Sequence, residues 1–145
     1  MRTEISHIGL CVSDLERSLT FYCEGLGFVA AESHQIGDEF APLMELEHVA
    51  VRSQFIAQGS VRIELLCFEQ PIATVAERRP LPLTGLTHLC FRVTELEAVV
   101  ERLVALGATV VEGTRTQLPF GEGELNFVYL TDLDGTRIEL MDLGG

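Results

Sequence analysis

The sequence predicts an α+β domain made of two tandem βαβββ modules, on three observations. Arg62-Ile63-Glu64-Leu65 returns as Arg137-Ile138-Glu139-Leu140, and Ser6-His7 returns as Thr87-His88. Each histidine opens a run in which apolar side chains alternate, the period of a half-buried strand. Each run leads into a helix-start signal and then an apolar stripe at helical spacing. Only loop lengths separate the two copies, and a unit of this size present twice is a duplicated module and not a repeat array.

In the first module Ile8, Leu10 and Val12 alternate with His7, Gly9 and Cys11, so residues 5–12 read as a strand with one face in the core. Ser13-Asp14-Leu15-Glu16 has the spacing of a capping box. Leu15, Leu19, Tyr22 and Leu26 then form a stripe, and Gly27 is placed to end the helix. Strand-like runs at 28–32, 45–56 and 60–68 complete the module, with Gly59 as the last turn. The second module repeats the order. Leu89, Phe91 and Val93 alternate with His88, Cys90 and Arg92, and Thr94-Glu95-Leu96-Glu97 is its capping box. Leu96, Val100 and Leu103 form its stripe, widened by Val99 and Leu106, and Gly107 ends its helix. Strands follow at 108–112, 125–131 and 136–141, with Asp134-Gly135 as the turn. Residues 33–44 and 113–124 are polar or Gly-rich insertions at equivalent points, read either as lids over a site or as mobile hairpin tips.

The chain's 145 residues, 47% of them hydrophobic, suit one globular domain, 1–145. It divides into module 1–68, a linker over 69–85 with three prolines and Arg78-Arg79, and module 86–143. A net charge of −12 makes nucleic acid and anionic membrane poor partners. No apolar run reaches the length of a membrane span, and the N-terminus lacks a signal-peptide pattern, so a cytoplasmic protein is expected. All ten basic residues are Arg, which excludes Schiff-base chemistry on a Lys. Cys11, Cys23, Cys67 and Cys90 form no C-x-x-C pair and are expected to be reduced and mostly buried.

Alternation also assigns faces. If Ile63, Leu65, Ile138 and Leu140 meet the helices, then His7, Glu64, His88 and Glu139 lie on the opposite face. A single strand histidine or glutamate is usually solvated. Two imidazoles and two carboxylates at repeat-equivalent positions on one face form a donor set for a divalent metal. His34 and His48 have no repeat partner and read as surface residues.

His7-Ile-Gly-Leu-Cys-Val-Ser-Asp-Leu-Glu-Arg-Ser-Leu-Thr-Phe-Tyr22, Gly25-Leu-Gly-Phe28, Arg62-Ile-Glu-Leu65, Thr87-His-Leu-Cys-Phe91 and Leu133-Asp-Gly-Thr-Arg-Ile-Glu-Leu-Met141 resemble the vicinal oxygen chelate superfamily. That superfamily includes glyoxalase I, methylmalonyl-CoA epimerase, extradiol dioxygenases, fosfomycin-resistance enzymes and bleomycin-resistance proteins. The resemblance covers nearly the whole chain. It implies a cup-shaped mixed sheet around one divalent ion (Ni, Co, Mn, Zn, Fe or Mg), held by His7, Glu64, His88 and Glu139. It also implies a small-molecule substrate and, commonly, a homodimer.

The His/Glu/His/Glu set matches the glyoxalase I and epimerase branches. Glu64 stands where a dioxygenase of this pattern would need His. Bleomycin-resistance proteins, which bind or sequester small molecules, usually lack the ligands. Glutathione-using bacterial glyoxalases often carry Arg four residues after the first ligand and Asn four after the second; here those places hold Cys11 and Phe68. His7-Ile-Gly-Leu-Cys-Val12 and Ile63-Glu-Leu-Leu-Cys-Phe-Glu-Gln-Pro-Ile72 look more like methylmalonyl-CoA epimerase, although that branch often has Gln in place of Glu64. The activity implied is that of a lyase or isomerase working through a metal-stabilised enolate, with a small-molecule-binding protein of the bleomycin-resistance type as the alternative and an extradiol dioxygenase ranked after both. Glu139 is the candidate base, with Glu64 its counterpart and Glu47 a weaker candidate in a preceding strand.

Overall fold

The computed structural model describes residues 1–75 and 77–144. Ala76, in the predicted linker 69–85, and Gly145, the last residue of the predicted domain 1–145, lie outside the described residues. The chain is an α+β protein of two compact units, Met1–Val75 and Ala76–Gly145.

The first unit holds strand β1 (Ile8–Cys11), helix α1 (Leu15–Thr20), and strands β2 (Val29–Ile36), β3 (Ala50–Gln58) and β4 (Val61–Gln70). They form one sheet in the order β1-β4-β3-β2. The first and last strands are neighbours and run parallel, with Ile8 beside Ile63 and Gly9 beside Glu64. A parallel pair needs a long crossover, which α1, β2 and β3 provide. The second unit holds β5 (Leu89–Val93), α2 (Leu96–Ala105), β6 (Thr109–Val110), β7 (Thr116–Phe120), β8 (Gly123–Thr131) and β9 (Arg137–Asp142). Its order is β5-β9-β8-β6, with β7 also paired to β8. Here too the first and last strands run parallel, Leu89 beside Ile138 and Cys90 beside Glu139. The repeat in sequence is therefore a repeat in register.

The predicted core face is the buried one. Ile63, Leu65, Ile138 and Leu140 are at most 1% exposed, as is Val12 at the end of the first strand. α2 buries Leu96, Val99, Val100 and Leu103 as its stripe requires, while Leu106 is only half-buried. α1 departs from the expected stripe. After Thr20 it widens into a π-type turn over Phe21–Gly25, which rotates Phe21 into the core beside Tyr22; Leu19 is left half-buried. Gly27 adopts φ 79° and ends the segment, where a side chain would be strained.

The helix starts differ from the expected capping boxes. In α1 the cap is Asp14, one residue later than Ser13, and its Oδ1 accepts the Arg17 N–H at 3.0 Å. In α2 the flanking Glu95 sits in the left-handed region (φ 59°) and no side chain caps the helix. The acid in each first turn pairs outward, Glu16 with Arg52 and Glu97 with Arg115. Asp14→Ala should cost about 1 kcal/mol, because it leaves one helix N–H without its acceptor. Urea unfolding of this variant against Asp14→Asn, expected to be near neutral, checks the assignment.

Neither insertion is a bare loop tip. In the first unit, β2 runs on to Ile36, and a 3-10 turn over Asp38–Phe40 follows. This segment folds back so that Ala41 and Val49 join Val51 in a small buried cluster, against which Met44, Leu66 and Phe68 pack. Phe68 is thus part of the unit's packing. Asp38 holds the segment by accepting Val49 N–H at 2.7 Å and pairing with His48 at 3.0 Å. In the second unit, residues 113–124 supply β7 and its tight turn onto β8, a strand pairing that polarity and glycine content concealed.

Three further expectations are corrected. β1 begins at Ile8 and β5 at Leu89, so His7 and His88 stand just before their strands. β3 begins at Ala50, and Glu47 lies before it in an exposed bend. The cysteines form no disulfide among the described residues, and none is buried: Cys11 and Cys90 are exposed, Cys23 and Cys67 half-buried. Cys11 and Cys90 alternate onto the face opposite the core, which is why their apolar character does not take them inside. No helix among the described residues is long and apolar enough to cross a membrane.

Candidate metal half-sites

Each unit brings its histidine to its glutamate. His7 Nε2 lies 3.2 Å from Glu64 Oε2, and His88 Nε2 lies 2.7 Å from Glu139 Oε2. The parallel register does this. It sets the residue after each histidine beside Ile63 or Ile138, and the next side chain on the site face is the glutamate. All four side chains are partly open, between 15% and 35% exposed, so solvent and ligand can reach them.

The repeat continues around each pair. Phe55 sits opposite Glu64, and Tyr129 opposite Glu139. The edge of each histidine meets that ring, at 5.1 Å for His7–Phe55 and 5.5 Å for His88–Tyr129. On each ring stacks the Arg that precedes the glutamate by two, Arg62 at 4.7 Å and Arg137 at 5.7 Å. Each histidine's Nδ1 is met by the hydroxyl just before it, Ser6 at 3.0 Å and Thr87 at 2.9 Å. The histidines, the glutamates, their flanking hydroxyls and the two arginines were legible as a repeat. Phe55 and Tyr129 differ in type and lie in strands whose boundaries the sequence left loose.

The two pairs are not identical. Ser53, itself 1% exposed, donates its hydroxyl to Glu64 Oε1 at 2.5 Å. Glu64 is thus held at both oxygens. At Glu139 the Tyr129 hydroxyl donates to Oε2 at 3.3 Å, the oxygen that also faces His88. Burial and then the Glu139 charge push the Tyr129 phenol above its ordinary pKa. The same two causes raise the Cys90 thiol, beside Glu139 in register. Arg137, a buried cation, donates to the carbonyls of Arg79 (2.8 Å) and Thr87 (3.4 Å). It therefore ties the chain entering β5 to β9.

One imidazole nitrogen and one carboxylate oxygen per unit make two half-sites of the donor types suited to Mn, Fe, Co, Ni or Zn. Among the described residues no three His, Cys, Asp or Glu side chains gather in one group. Glu47, His34 and His48 join neither pair. His34 meets the Phe55 ring at 6.1 Å and lies near the Glu32 carboxylate, and His48 pairs with Asp38.

The chain is 29% identical over 139 residues to an ethylmalonyl-CoA/methylmalonyl-CoA epimerase of Cereibacter sphaeroides, covering 94% of this chain and 95% of that one. A crystal structure of a glyoxalase family protein from Bacillus cereus matches with a TM-score of 0.83 at 21% identity, over 100% of this chain and 97% of that one. A variant of FosX, the genomically encoded fosfomycin-resistance protein of Listeria monocytogenes, matches with a TM-score of 0.58 at 21% identity. It was crystallised with Mn(II) and 1S,2S-dihydroxypropylphosphonic acid, and the match covers 97% of this chain and 90% of that one. The family model for the Glyoxalase/Bleomycin resistance protein/Dioxygenase superfamily matches residues 4–140, and the chain belongs to that superfamily.

Proposed function

We propose that this chain is a divalent-metal-dependent lyase or isomerase, with His7, Glu64, His88 and Glu139 as its metal ligands. The observation that carries the reading is the twofold recurrence of one contact: histidine Nε2 against glutamate Oε2, at equivalent places in both units. Mn(II) in FosX, a protein of similar fold, and the similarity to an epimerase agree with it.

The ion, when bound, supplies Lewis acidity at a substrate carbonyl oxygen, which acidifies the neighbouring C–H. The chain's own groups handle the proton. Glu139 takes it from carbon on Oε1, because Oε2 accepts the Tyr129 hydroxyl. Glu64, whose Oε1 accepts the hydroxyl of the buried Ser53, orients and does not exchange. Return of the proton to the other face gives epimerisation, and return to another carbon gives isomerisation. A positioned base of this kind contributes about 10²–10⁴-fold. Cys11 is exposed and Phe68 is packed in the cluster of the first unit, so neither offers a charged or amide contact to glutathione.

The test loads the protein with Ni, Co, Mn, Zn, Fe or Mg in turn. Acyl-CoA, hydroxy-acid and ketoaldehyde substrates are then followed for exchange of a carbon-bound proton with deuterated water. Metal-dependent exchange is expected, with little turnover of the methylglyoxal–glutathione adduct. Stoichiometric metal without exchange on any substrate would favour a binding protein of the bleomycin-resistance type. Turnover of the glutathione adduct at ordinary enzyme rates would overturn the specificity half of the reading. A homodimer is also expected, with a light-scattering mass of twice the 16.0 kDa chain at micromolar concentration; a monomer mass would refute it.

A further inference from the structure

The hydroxyls at the two histidines carry a consequence for metal loading. Ser6 Oγ and Thr87 Oγ1 meet Nδ1 of His7 and His88, while both Nε2 atoms face a glutamate oxygen. A carboxylate only accepts hydrogen bonds, so a neutral ring facing one keeps its proton on Nε2. Nδ1 is then a bare acceptor, and the hydroxyl donates to it.

Coordination of a metal through the same Nε2 requires the other tautomer, with Nε2 bare and the proton on Nδ1. Nδ1 then donates, and its partner must accept. A carbonyl or carboxylate at Nδ1 would satisfy only the second state, and an amide N–H only the first. A hydroxyl satisfies both by rotating about its C–O bond. Both units place one there, Ser in one and Thr in the other, and these residues share nothing else but that group.

We propose that Ser6 and Thr87 are positioning residues that let each histidine exchange its glutamate partner for a metal ion while keeping its Nδ1 hydrogen bond. The proton on Nε2 passes to solvent and Nδ1 takes one up, so the ring's charge is unchanged. This inference rests on the metal-site reading above and names the groups that make the site loadable.

The test compares Ser6→Ala and Thr87→Val with the conservative Ser6→Thr and Thr87→Ser. Each apo-protein is titrated with Ni(II) by calorimetry at pH 8. ¹⁵N imidazole spectra of the apo-proteins report the ring tautomers. Both hydroxyl residues are exposed, so unfolding midpoints should match the parent. Ser6→Ala and Thr87→Val should each weaken Ni(II) by about 10–100-fold, the usual cost of losing an outer-sphere partner. They should also turn a uniform Nε2–H tautomer into a mixture. The hydroxyl-keeping variants should restore both properties. Parental Ni(II) affinity in Ser6→Ala and Thr87→Val, or Thr87→Ser as weak as Thr87→Val, would overturn the inference and leave the metal site standing. If the parent itself binds no Ni(II), the metal-site reading fails instead. The apo spectra then still decide, because unchanged tautomers in the hydroxyl-free variants refute the role of Ser6 and Thr87.

Discussion

Replacing any one of His7, Glu64, His88 or Glu139 by Ala is expected to remove stoichiometric divalent metal from the purified protein. Losing a ligand removes a donor or a negative charge outright. The effect should therefore exceed the roughly 10–100-fold that follows from loss of a partner outside the ligand sphere. It should be equally severe in both halves, since in the proposed site each would contribute one nitrogen and one oxygen. Folding should be little disturbed, because all four side chains are partly solvated. Equilibrium dialysis followed by elemental analysis reads the result. If His7→Ala and Glu139→Ala both kept a full equivalent of metal, these residues would be ordinary surface pairs and the proposed activity would lose its basis.

One residue further along the same strand the expected outcome reverses. Leu140→Ala should destabilise the protein by about 2–5 kcal/mol, through lost transfer energy and a cavity beneath α2 and its sheet. Leu140 is fully buried (0% exposed), and Ile138 on its other side is too. Against a total stability of roughly 5–15 kcal/mol, one such change approaches the threshold for unfolding. Urea denaturation of Leu140→Ala and Glu139→Ala separates the two faces of β9. The first should lose stability, and the second should lose metal and keep its midpoint. A cost below about 1 kcal/mol for Leu140→Ala would show that the assignment of faces is wrong.

That such neighbours can be assigned opposite roles without coordinates follows from the strand period of two. Once Ile138 and Leu140 are core, Glu139 cannot be. The same rule placed Ile63 and Leu65 inside and Glu64 outside, and duplication supplied the second observation that lifted four commonplace residues into one candidate set. Local chemistry was less dependable. Two sequences with capping-box spacing gave one Asp14 cap and one start without a side-chain cap, while Glu16 and Glu97 pair with Arg52 and Arg115, far along the chain. Polar composition made 113–124 look like a loop, but β7 is an edge strand, where a polar, exposed face carries no penalty.

The sequence by itself determined the fold class, the duplication, the core faces of the first and last strands, and the four residues proposed as metal ligands. All of these depend on periodicity or on repetition, which are properties of the chain read along its length. Only the tertiary structure decided what stands across from them. It set β1 beside β4 and β5 beside β9, bringing each histidine within reach of its glutamate. It placed Ser53 and Tyr129 on Glu64 and Glu139 and so made the two glutamates unlike. It also packed Phe68 under the 38–49 segment. These are pairings between residues 10 to 57 positions apart. They follow from strand register and side-chain packing, which no local pattern encodes.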